Sequence, residues 1–409
     1  MSASESPAGD ASGVLIVGGG LVGASLAIAL DAAGIAATLI ETAPPRADAQ
    51  PSYDERNLAL ARASVNGLEA IGVWCHANAA ATPIQHIHVS RAGEFGSARI
   101  GAGKQGVEAL GWTLPARELG MALLRRLDEC TWLTRLAPAT LSAIEPLADG
   151  WRARIQTAHG ERCIDTALLV GADGSESFVR GQLDIAAQRH DYRQTLFVCT
   201  VTPERPHAGR AWERFADAGP VALLPLAEGR CGLVLTVAAE AADAVAGLDD
   251  DDFIALAQLR SGWRLGRLSR PGRRHSYPIQ RIAATRLTAA RAVLVGNAAQ
   301  TVHPIGAQGF NLGLRDALTL AELVSASADP GDAAMLATYA TRRAPDREGT
   351  MAMSHGLVQL ACLRQPLLAP LRSLVLLACD RLPPLQRALA RRGMGFRGEP
   401  PLAMMERVP

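Results

Sequence analysis

The chain has 409 residues, long enough to bury a large core in two connected domains. Its 41 Lys and Arg residues balance 40 Asp and Glu residues, so the net charge of +1 excludes a global field that favours nucleic acid. Seven scattered cysteines form no C-x-x-C pair and no metal-like spacing with histidine. We therefore expect no metal site and reduced, mostly buried thiols in a cytoplasmic protein.

The N-terminal region predicts a dinucleotide-binding strand, turn and helix. The apolar run VLIV leads into Gly18, Gly20 and Gly23, which fit the pattern G-x-G-x-x-G, and an Ala/Leu-rich helix follows. These glycines allow a tight turn, a close approach of the backbone to a pyrophosphate and close packing of the helix on the strand. A second predicted strand ends at Glu41, where an acid can bind the adenosine ribose. The pattern leaves open whether the dinucleotide is FAD or NAD.

Two arginines in the next segment have both a structural and a ligand-binding interpretation. Arg56 either pairs with Asp54 or Glu55 at the surface or contacts cofactor phosphate or ribose with its planar guanidinium. Arg117 lies in the first turn of a helix predicted over 114–129. A cation there opposes the helix dipole, which favours a bound anion.

A strand is predicted over 84–90, with His86 and His88 on one face. Because no third ligand lies at a suitable spacing, we interpret them as two half-exposed histidines and not as metal ligands. Further along, the buried strand TALLV delivers Asp173 and Gly174 to a loop at its carboxyl end. Ligands collect at that edge of a parallel sheet.

Short alternating runs between residues 195 and 237 predict an antiparallel sheet in a second domain, suited to cover a substrate. One of these strands, over 221–225, carries Leu224 and Pro225. The acidic run over 249–252 is expected to cap a helix.

A further buried strand over 292–295 opens onto a second glycine-rich turn that presents a helix N-terminus. Such an N-terminus suits negative charge that develops on a ring. His303 lies in this turn and is either a proton relay or a packed structural histidine.

The C-terminal region, 355–409, is apolar and helical in pattern but too interrupted to span a membrane. Arginines accumulate towards its end, at Arg381, Arg387, Arg391, Arg392 and Arg397. Two interpretations stay open: a peripheral face that touches anionic lipid, or the solvated side of a helix that covers the core.

Taken together, these motifs resemble the group A FAD-dependent aromatic hydroxylases. GGGLVG is similar to the ADP-binding motif of that family, Gly171 to Gly174 to its "DG" motif, and Gly296 to Asn311 to its flavin-binding "GD" motif. The chain resembles the ubiquinone-biosynthesis hydroxylases more closely, through D-x-R-x-x-A-L from Asp54, IHVS, WERF, GWRLG and VGNAAQTVHPIGAQGFNLGLRDA. Two departures concern the "GD" motif: its acid is Asn297 here, and Gly306-Ala307 inverts the usual Ala-Gly.

The resemblance implies an α/β fold with a Rossmann-type FAD-binding domain, an inserted antiparallel-sheet substrate domain and a C-terminal helical region. We place the FAD-binding domain at 13–185 and 275–345, with sheet excursions near 80–110, and the substrate domain at 186–274. The helical region follows at 346–409, and residues 1–12 are predicted to be a disordered tail without a signal peptide.

The resemblance also implies the reaction. NAD(P)H reduces the flavin, O₂ adds at C4a, and the resulting hydroperoxide hydroxylates the ring of a polyprenylated phenol, 2-polyprenyl-6-methoxyphenol, in ubiquinone biosynthesis. The open alternatives are another ring position, a flavin-binding reductase and a non-catalytic subunit of a quinone-synthesis assembly. Expected partners are other ubiquinone-biosynthesis proteins, the membrane surface and further copies of the chain, but no nucleic acid.

Because the flavin carries the chemistry, no catalytic side chain is obligatory, and His303 is the one candidate. The expected substrate contacts are His303, Pro304, Leu224 and Pro225. The expected cofactor-binding residues are Gly18, Gly20, Gly23, Glu41, Arg56, Arg117, Asp173, Gly174, Gly296, Asn297, Gly306, Gln308, Gly309 and Asn311.

Overall fold

A computed structural model of the chain describes residues 10–44, 50, 54, 56–362 and 369–405. The strands are β1 (Asp10–Val17), β2 (Ala37–Ile40), β3 (Asn57–Ala61), β4 (Thr82–Ile84), β5 (His86–Arg91), β6 (Ser97–Gly101), β7 (Gly111–Pro115), β8 (Leu133–Leu136), β9 (Ala139–Leu147), β10 (Gly150–Thr157), β11 (Gly160–Gly171), β12 (Ala187–Pro203), β13 (Arg210–Phe215), β14 (Val221–Pro225), β15 (Cys231–Ala238), β16 (Leu268–Ser269), β17 (His275–Ala284), β18 (Thr288–Ala289), β19 (Ala292–Leu294) and β20 (Gln300–Thr301). The helices are α1 (Leu21–Ala32), α2 (Arg62–Ala70), α3 (Trp74–Ala77), α4 (Ala116–Asp128), α5 (Phe178–Gln182), α6 (Ala242–Ala246), α7 (Asp250–Ser261), α8 (Gln308–Ser325), α9 (Ala333–Cys362), α10 (Ala369–Arg381) and α11 (Pro383–Gly393). Most of the predicted tail lies outside the described residues, and β1 begins at Asp10, within its last part.

The first sheet is the Rossmann-type core that the glycine pattern predicts. Its strands run in the order β18-β19-β11-β1-β2-β8, with parallel pairs from β19 through β8, and the β9–β10 hairpin attaches to β11. The apolar runs VLIV and ALLV form its centre because strands covered on both faces need no polar alternation. The helix α1 is almost wholly buried between this sheet and its helical neighbours.

The second sheet runs in the order β20-β17-β12-β15-β14-β13-β5-β6. On one face Phe197, Leu233 and Leu235 pack on Phe253 of α7, and we call this the outer face. The opposite, inner face carries Leu196, Val198, Ala222, Leu224 and Val234.

The predicted antiparallel sheet is present among β12, β13, β14 and β15, and one strand from outside its predicted range joins it in parallel. β13 pairs with β14 antiparallel but with β5 parallel, so Trp212 lies beside His88. A parallel neighbour needs a long crossover connection, and here residues 92–209 lie between the two strands. The sheet therefore also takes strands from outside the range 186–274.

A small sheet, β3-β7-β4, joins the two larger ones. The Thr113 hydroxyl of β7 donates a hydrogen bond to the carbonyl of Pro225 at the end of β14. A Cβ on Gly232 of β15 would lie 2.5 Å from the Asn57 amide of β3. The inner face of the second sheet therefore looks towards the dinucleotide-binding part of the chain.

The C-terminal helices α10 and α11 form a hairpin that docks on β5 and β6. The Arg372 guanidinium binds the Glu94 carboxylate at 2.5 Å, and Arg99 binds Asp380 at 2.7 Å. Within the described residues, no helix combines the length and apolarity that crossing a bilayer requires.

Two local predictions concerning burial are wrong. His88 is buried, with 8% of its surface exposed, because it lies in the middle of the sheet between β13 and β6. Of the cysteines within the described residues only Cys199 and Cys231 are buried, and all are unpaired thiols. The described side chains contain no cluster of potential metal ligands.

Candidate functional site

The first glycine turn is built by close backbone contacts that exclude side chains. Gly18 has a φ of +104°, and a Cβ on it would lie 2.6 Å from the carbonyl oxygen of Ala172. A Cβ on Gly23 would lie 1.9 Å from the carbonyl oxygen of Gly18. The predicted tight turn and close helix–strand packing are thus both present, and the "DG" loop lies directly against the turn.

The N-terminus of α1 points out of this turn. Gly20 is its N-cap residue, and no side chain caps the first backbone N–H groups. Uncapped N–H groups together with the positive end of the helix dipole suit a pyrophosphate. The residues present therefore fit the ADP half of FAD.

Glu41 lies at the carboxyl end of β2, beside the turn. Its Oε2 accepts a hydrogen bond of 2.6 Å from the Gly19 N–H, and its Oε1 accepts one of 2.8 Å from the Ala43 N–H. These bonds hold a partly exposed carboxylate at the edge where an adenosine ribose is expected. Ribose binding by Glu41 stays a prediction.

The Asp173 carboxylate is engaged within its own loop. It accepts hydrogen bonds from the Ser177 hydroxyl at 2.5 Å and from the Val179 N–H at 3.0 Å. It therefore fixes the start of α5, while Gly174, with a φ of +86°, has open space on its Cβ side. A direct contact between Asp173 and a cofactor stays a prediction.

The second glycine turn packs against the first turn of α1. Cβ atoms on Gly296 and Gly313 would lie 3.0 and 2.7 Å from the Val22 side chain. Two sequence motifs nearly 300 residues apart thus meet at one helix N-terminus. Asn297, which replaces the acid of the "GD" motif, has an exposed side chain beside this contact.

Asp316 holds the second turn in place, and sequence reasoning missed it. Its carboxylate accepts hydrogen bonds from the Gly296 N–H at 3.1 Å, from Gln300 Nε2 at 2.6 Å and from Arg343 Nε at 2.7 Å. The adjacent charged residues Arg315 and Asp316 among the leucines of α8 were the available signal, because buried charges need partners.

The loop before α8 shows which backbone conformation the inverted pair Gly306-Ala307 adopts. Both residues are left-handed, with φ of +67° at Gly306 and +51° at Ala307. For alanine this conformation costs about 1–2 kcal/mol relative to an ordinary one. Strain of this kind marks a loop whose conformation is fixed by its surroundings.

In the first turn of α8, Gln308 and Gly309 are available to a ligand, whereas the Asn311 amide is already hydrogen-bonded to the protein backbone. Gln308 donates to the Gly306 carbonyl at 2.8 Å, but its buried Oε1 has no partner in the described structure, and a Cβ on Gly309 would meet open space. The Asn311 amide instead bonds the backbone of Ala59, Ala61 and Ala307. Gln308 and Gly309 therefore fit a ring that lies on the helix N-terminus, whereas Asn311 clamps β3 to it.

Arg56 and Arg117 lie near each other, Arg56 just before β3 and Arg117 just after its partner strand β7. Arg56 Nε is 2.7 Å from the Asp54 carboxylate, and the guanidinium lies 5.1 Å from the Tyr277 ring centroid. Arg117 is half-exposed, its N–H donates to the Asp54 carbonyl at 2.9 Å, and its side chain reaches Glu118. The ion pair of Arg56 with Asp54 is present, and contact of either arginine with a cofactor stays a prediction.

His303 is held as a neutral, packed side chain. Its Nδ1 accepts a hydrogen bond from the Ile305 N–H at 3.1 Å, which leaves the proton on Nε2, 3.3 Å from Gln194 Oε1. Burial lowers the pKa of His303 to about 4. This environment favours the structural interpretation of His303 over the proton relay.

Two of the predicted substrate residues, His303 and Leu224, lie at the inner face of the second sheet. The His303 ring meets the Tyr192 ring edge-on at 4.9 Å, and Tyr192 packs on the inner face of the second sheet. Leu224 lies on that same face, and Pro225 is buried at the end of its strand. Their contact with a substrate stays a prediction.

Two further polar side chains near the inner face escaped the sequence prediction. Both amide atoms of Asn57 are buried without a hydrogen-bond partner in the described structure. Glu213 lies on β13 with no ion pair to a described residue, and burial raises its pKa to about 7. Glu213 belongs to WERF, a motif that the family resemblance rests on, and that was the available signal. Asn57 stands at an unspecified position of D-x-R-x-x-A-L, which gave no signal for it.

Comparison with known proteins agrees with this geometry. The family described as "FAD binding domain" matches residues 11–354. The chain is 37% identical to ubiquinone hydroxylase UbiL of Rhodospirillum rubrum, over 97% of this chain and 93% of that protein. It is 30% identical to the 3-demethoxyubiquinol 3-hydroxylase of Escherichia coli, over 94% and 98% of the two chains. The crystal structure of p-nitrophenol 4-monooxygenase PnpA from Pseudomonas putida superposes with a TM-score of 0.79 at 16% identity, over 96% and 100% of the chains, and confirms the predicted fold class.

The two buried histidines predict acid sensitivity of the fold. Burial lowers the pKa of both His303 and His88 to about 4, against 6.5 in an unfolded chain. Between these values the unfolded state binds more protons, so stability is fully present above about pH 6.5 and falls as the pH drops towards 4. At about pH 5 each histidine should lower the free energy of unfolding by about 2 kcal/mol.

Urea unfolding at about pH 7.5 and 5 measures this effect. His303→Gln should reduce the difference between the two pH values, whereas the exposed His159→Gln should leave it unchanged. An unchanged difference in the His303 variant would contradict the assignment.

Proposed function

The chain belongs to the FAD binding domain family as an FAD-dependent monooxygenase of the ubiquinone-biosynthesis hydroxylases, and we propose that its substrate is a polyprenylated phenol. The proposed substrate is 2-polyprenyl-6-methoxyphenol, with NAD(P)H as electron donor and O₂ as the source of the new hydroxyl oxygen. When bound, FAD supplies the redox chemistry and the activated oxygen.

The observation that carries this proposal is the apolar inner face of the second sheet, which lies against the loops of the flavin site. Leu196, Val198 and Val234 cover it, and Tyr277 connects it to Asp54 through a hydrogen bond of 3.1 Å. An apolar wall of this kind favours a prenylated ring and excludes water from it. The N-terminus of α8 has the opposite character to this apolar wall, because it stabilises negative charge.

Different residues of the chain would bind different parts of FAD. The N-terminus of α1 and Glu41 would hold the ADP half of FAD, and Gln308, Gly309 and Asn297 would hold the flavin half. Asp173 and Asp316 would keep the two supporting loops in register with α1.

A second candidate is hydroxylation at another ring position of the same pathway. The 30% identity to a 3-demethoxyubiquinol 3-hydroxylase over almost the full length favours keeping it. The two candidates share the flavin site and differ only in how the ring is turned on the inner face.

Oxygen labelling separates these functions. The holoenzyme is supplied with NADH or NADPH, ¹⁸O₂ and a 6-methoxyphenol that carries a single prenyl group at position 2. We expect one ¹⁸O atom per product ring, and NMR of the product gives the position. Turnover of NAD(P)H with an altered prenyl group but no ¹⁸O would instead indicate a reductase, and flavin that is never reduced would indicate a non-catalytic subunit.

We further propose that the α10–α11 hairpin rests on an anionic membrane surface, from which a prenylated substrate can enter. Its outward side exposes Leu371, Leu374, Val375, Leu382 and Leu385, with exposed fractions from 43% to 58%. Exposed apolar area of this extent on a monomer usually has a partner.

The charge of the hairpin supports a lipid partner. The one acidic residue in the range 369–393 is Asp380, whose side chain is 6% exposed and bound to Arg99. The exposed ionised groups of the hairpin are therefore all cationic, at Arg381, Arg387, Arg391 and Arg392. Leucines beside arginines suit the interface of an anionic bilayer.

Co-sedimentation with vesicles of mixed anionic and neutral lipid tests the membrane contact. Replacing Arg387, Arg391 and Arg392 with Glu should weaken binding about a hundredfold, because each basic residue near an anionic surface contributes about 1 kcal/mol. Hydroxylation of the singly prenylated phenol should persist. Equal sedimentation of wild type and variant would refute the contact. The control carries the same charge change at Arg205, Arg267 and Arg273, exposed residues between β12 and β17.

A further inference from the structure

Glu213 is an acid on the inner face of the second sheet. Its neighbour Trp212 packs with the outer-face cluster around Phe253. Because successive side chains of a strand point to opposite faces, the Glu213 carboxylate points to the inner face.

The residues beside Glu213 on this face form an apolar row across the sheet. Glu213 pairs with Ala222 on one side and with Val89 on the other, and the row continues from Ala222 to Val234 and Val198. Val234 packs in the cluster that holds Tyr192, which touches the His303 ring. At a strand spacing of about 4.8 Å, Glu213 lies two strands, or about 10 Å, from Val234.

The Glu213 carboxylate has no described partner, unlike the other acids inside the molecule. Asp316 and Asp346 each bind arginine, and Glu94 binds both Arg91 and Arg372. Burial alone raises the pKa of Glu213 to about 7, and no neighbouring charge contributes. The residue nevertheless keeps part of its surface accessible.

The charged and titratable groups on the surrounding elements do not replace it as a base. Arg91, two residues beyond Val89 on β5, is paired with Glu94 and Asp217. His303 already accepts a backbone hydrogen bond on Nδ1 and keeps its proton on Nε2. The Asp54 carboxylate is occupied by Arg56 and the Tyr277 hydroxyl.

We propose that Glu213 is the catalytic base that accepts the proton of the substrate's phenolic hydroxyl, an inference that rests on the proposed function. The carboxylate oxygen takes the proton, and both electrons of the O–H bond stay on the phenol oxygen. Electron density then rises at the ring carbons ortho and para to that oxygen, and one of these carbons forms a C–O bond to a hydroxyl group that the monooxygenase reaction derives from O₂. The O–O bond breaks, its electron pair stays on the second oxygen atom, and that atom leaves as water, with NAD(P)H as the two-electron reductant. When the hydroxylated ring regains aromaticity it loses its C–H proton to water, and Glu213 returns the first proton to the phenol oxygen. The net change at the ring is the replacement of one hydrogen by one hydroxyl.

The apolar row explains why an acid suits this position. An ordinary carboxylate is too weak a base to accept a phenol proton, and burial brings the proton affinity of Glu213 closer to that of the phenol. The same apolar surroundings orient the prenylated ring, so the hydroxyl has one polar group to face.

The pH dependence of hydroxylation tests the assignment in the wild-type holoenzyme. With the singly prenylated 6-methoxyphenol, kcat/KM for product formation should fall with unit slope as the pH drops through about 7, because only the ionised carboxylate accepts the proton. A profile that is flat between about pH 6 and 9 would overturn the proposal without any variant.

Glu213→Gln keeps the shape of the side chain and removes the base. Product formation should fall by about 100- to 10,000-fold and lose the acid limb. FAD content and the rate of flavin reduction by NAD(P)H should stay unchanged. The electrons from NAD(P)H should therefore reduce O₂ to H₂O₂, without formation of the hydroxylated product. A merely structural role would not separate reduction from hydroxylation in this way.

Two further variants complete the test. Glu213→Asp should restore part of the activity together with a pH limb, and Glu228→Gln, at an exposed turn of the same sheet, should behave as wild type. Product formation by Glu213→Gln at the wild-type rate would refute the base. If wild type itself forms no hydroxylated product from the phenol, the proposed function fails instead, so the two failures are distinguishable.

Discussion

The structure depends on close backbone contact around the first turn of α1. Gly18 and Gly23 approach each other and Ala172, while Gly296 and Gly313 close on Val22 from the other side. No side chain fits at these contacts, so three separate loops are brought to one uncapped helix N-terminus. That arrangement leaves backbone N–H groups aimed at an anion, which is the feature a dinucleotide cofactor requires.

Buried charge connects this centre to the rest of the molecule. Asp316 bonds the Gly296 N–H and Arg343, and Arg343 also binds Asp346 at 2.8 Å, which in turn binds Arg315 at 2.6 Å. Removing one partner of such a buried pair typically costs about 3–5 kcal/mol, because it leaves a charge uncompensated. The helix α9 is thereby fixed to the flavin loops, and its far end reaches the inner face where His355 meets Tyr192 at 3.2 Å.

The sequence predicts those parts of the fold that depend on short-range signals. The run VLIV, the glycine turns and the acidic helix cap at Asp249 each follow from neighbouring residues, and the structure contains all of them. The parallel pairing of β13 with β5 could not be predicted, because it joins residues more than 100 positions apart without a local signal. Nor does a single sequence show that Asn311 and Asp173 bind the protein's own backbone and side chains, or that Glu213 points inwards. Each of these depends on the tertiary neighbour, not on the residue type.

The central claim is that the two glycine turns at α1 hold the two ends of one FAD. Fluorescence titration of the apoprotein with FAD and with FMN, which lacks the adenylate, tests it most directly. Each charge-assisted hydrogen bond to the pyrophosphate contributes about 1.5–3 kcal/mol, so FAD should bind at least about a hundredfold more tightly than FMN. Gly23→Ala, whose Cβ would lie 1.9 Å from the Gly18 carbonyl, should abolish that preference, and Gly181→Ala, which meets open space, should retain it. Equal affinity of the wild type for FAD and FMN would contradict the account.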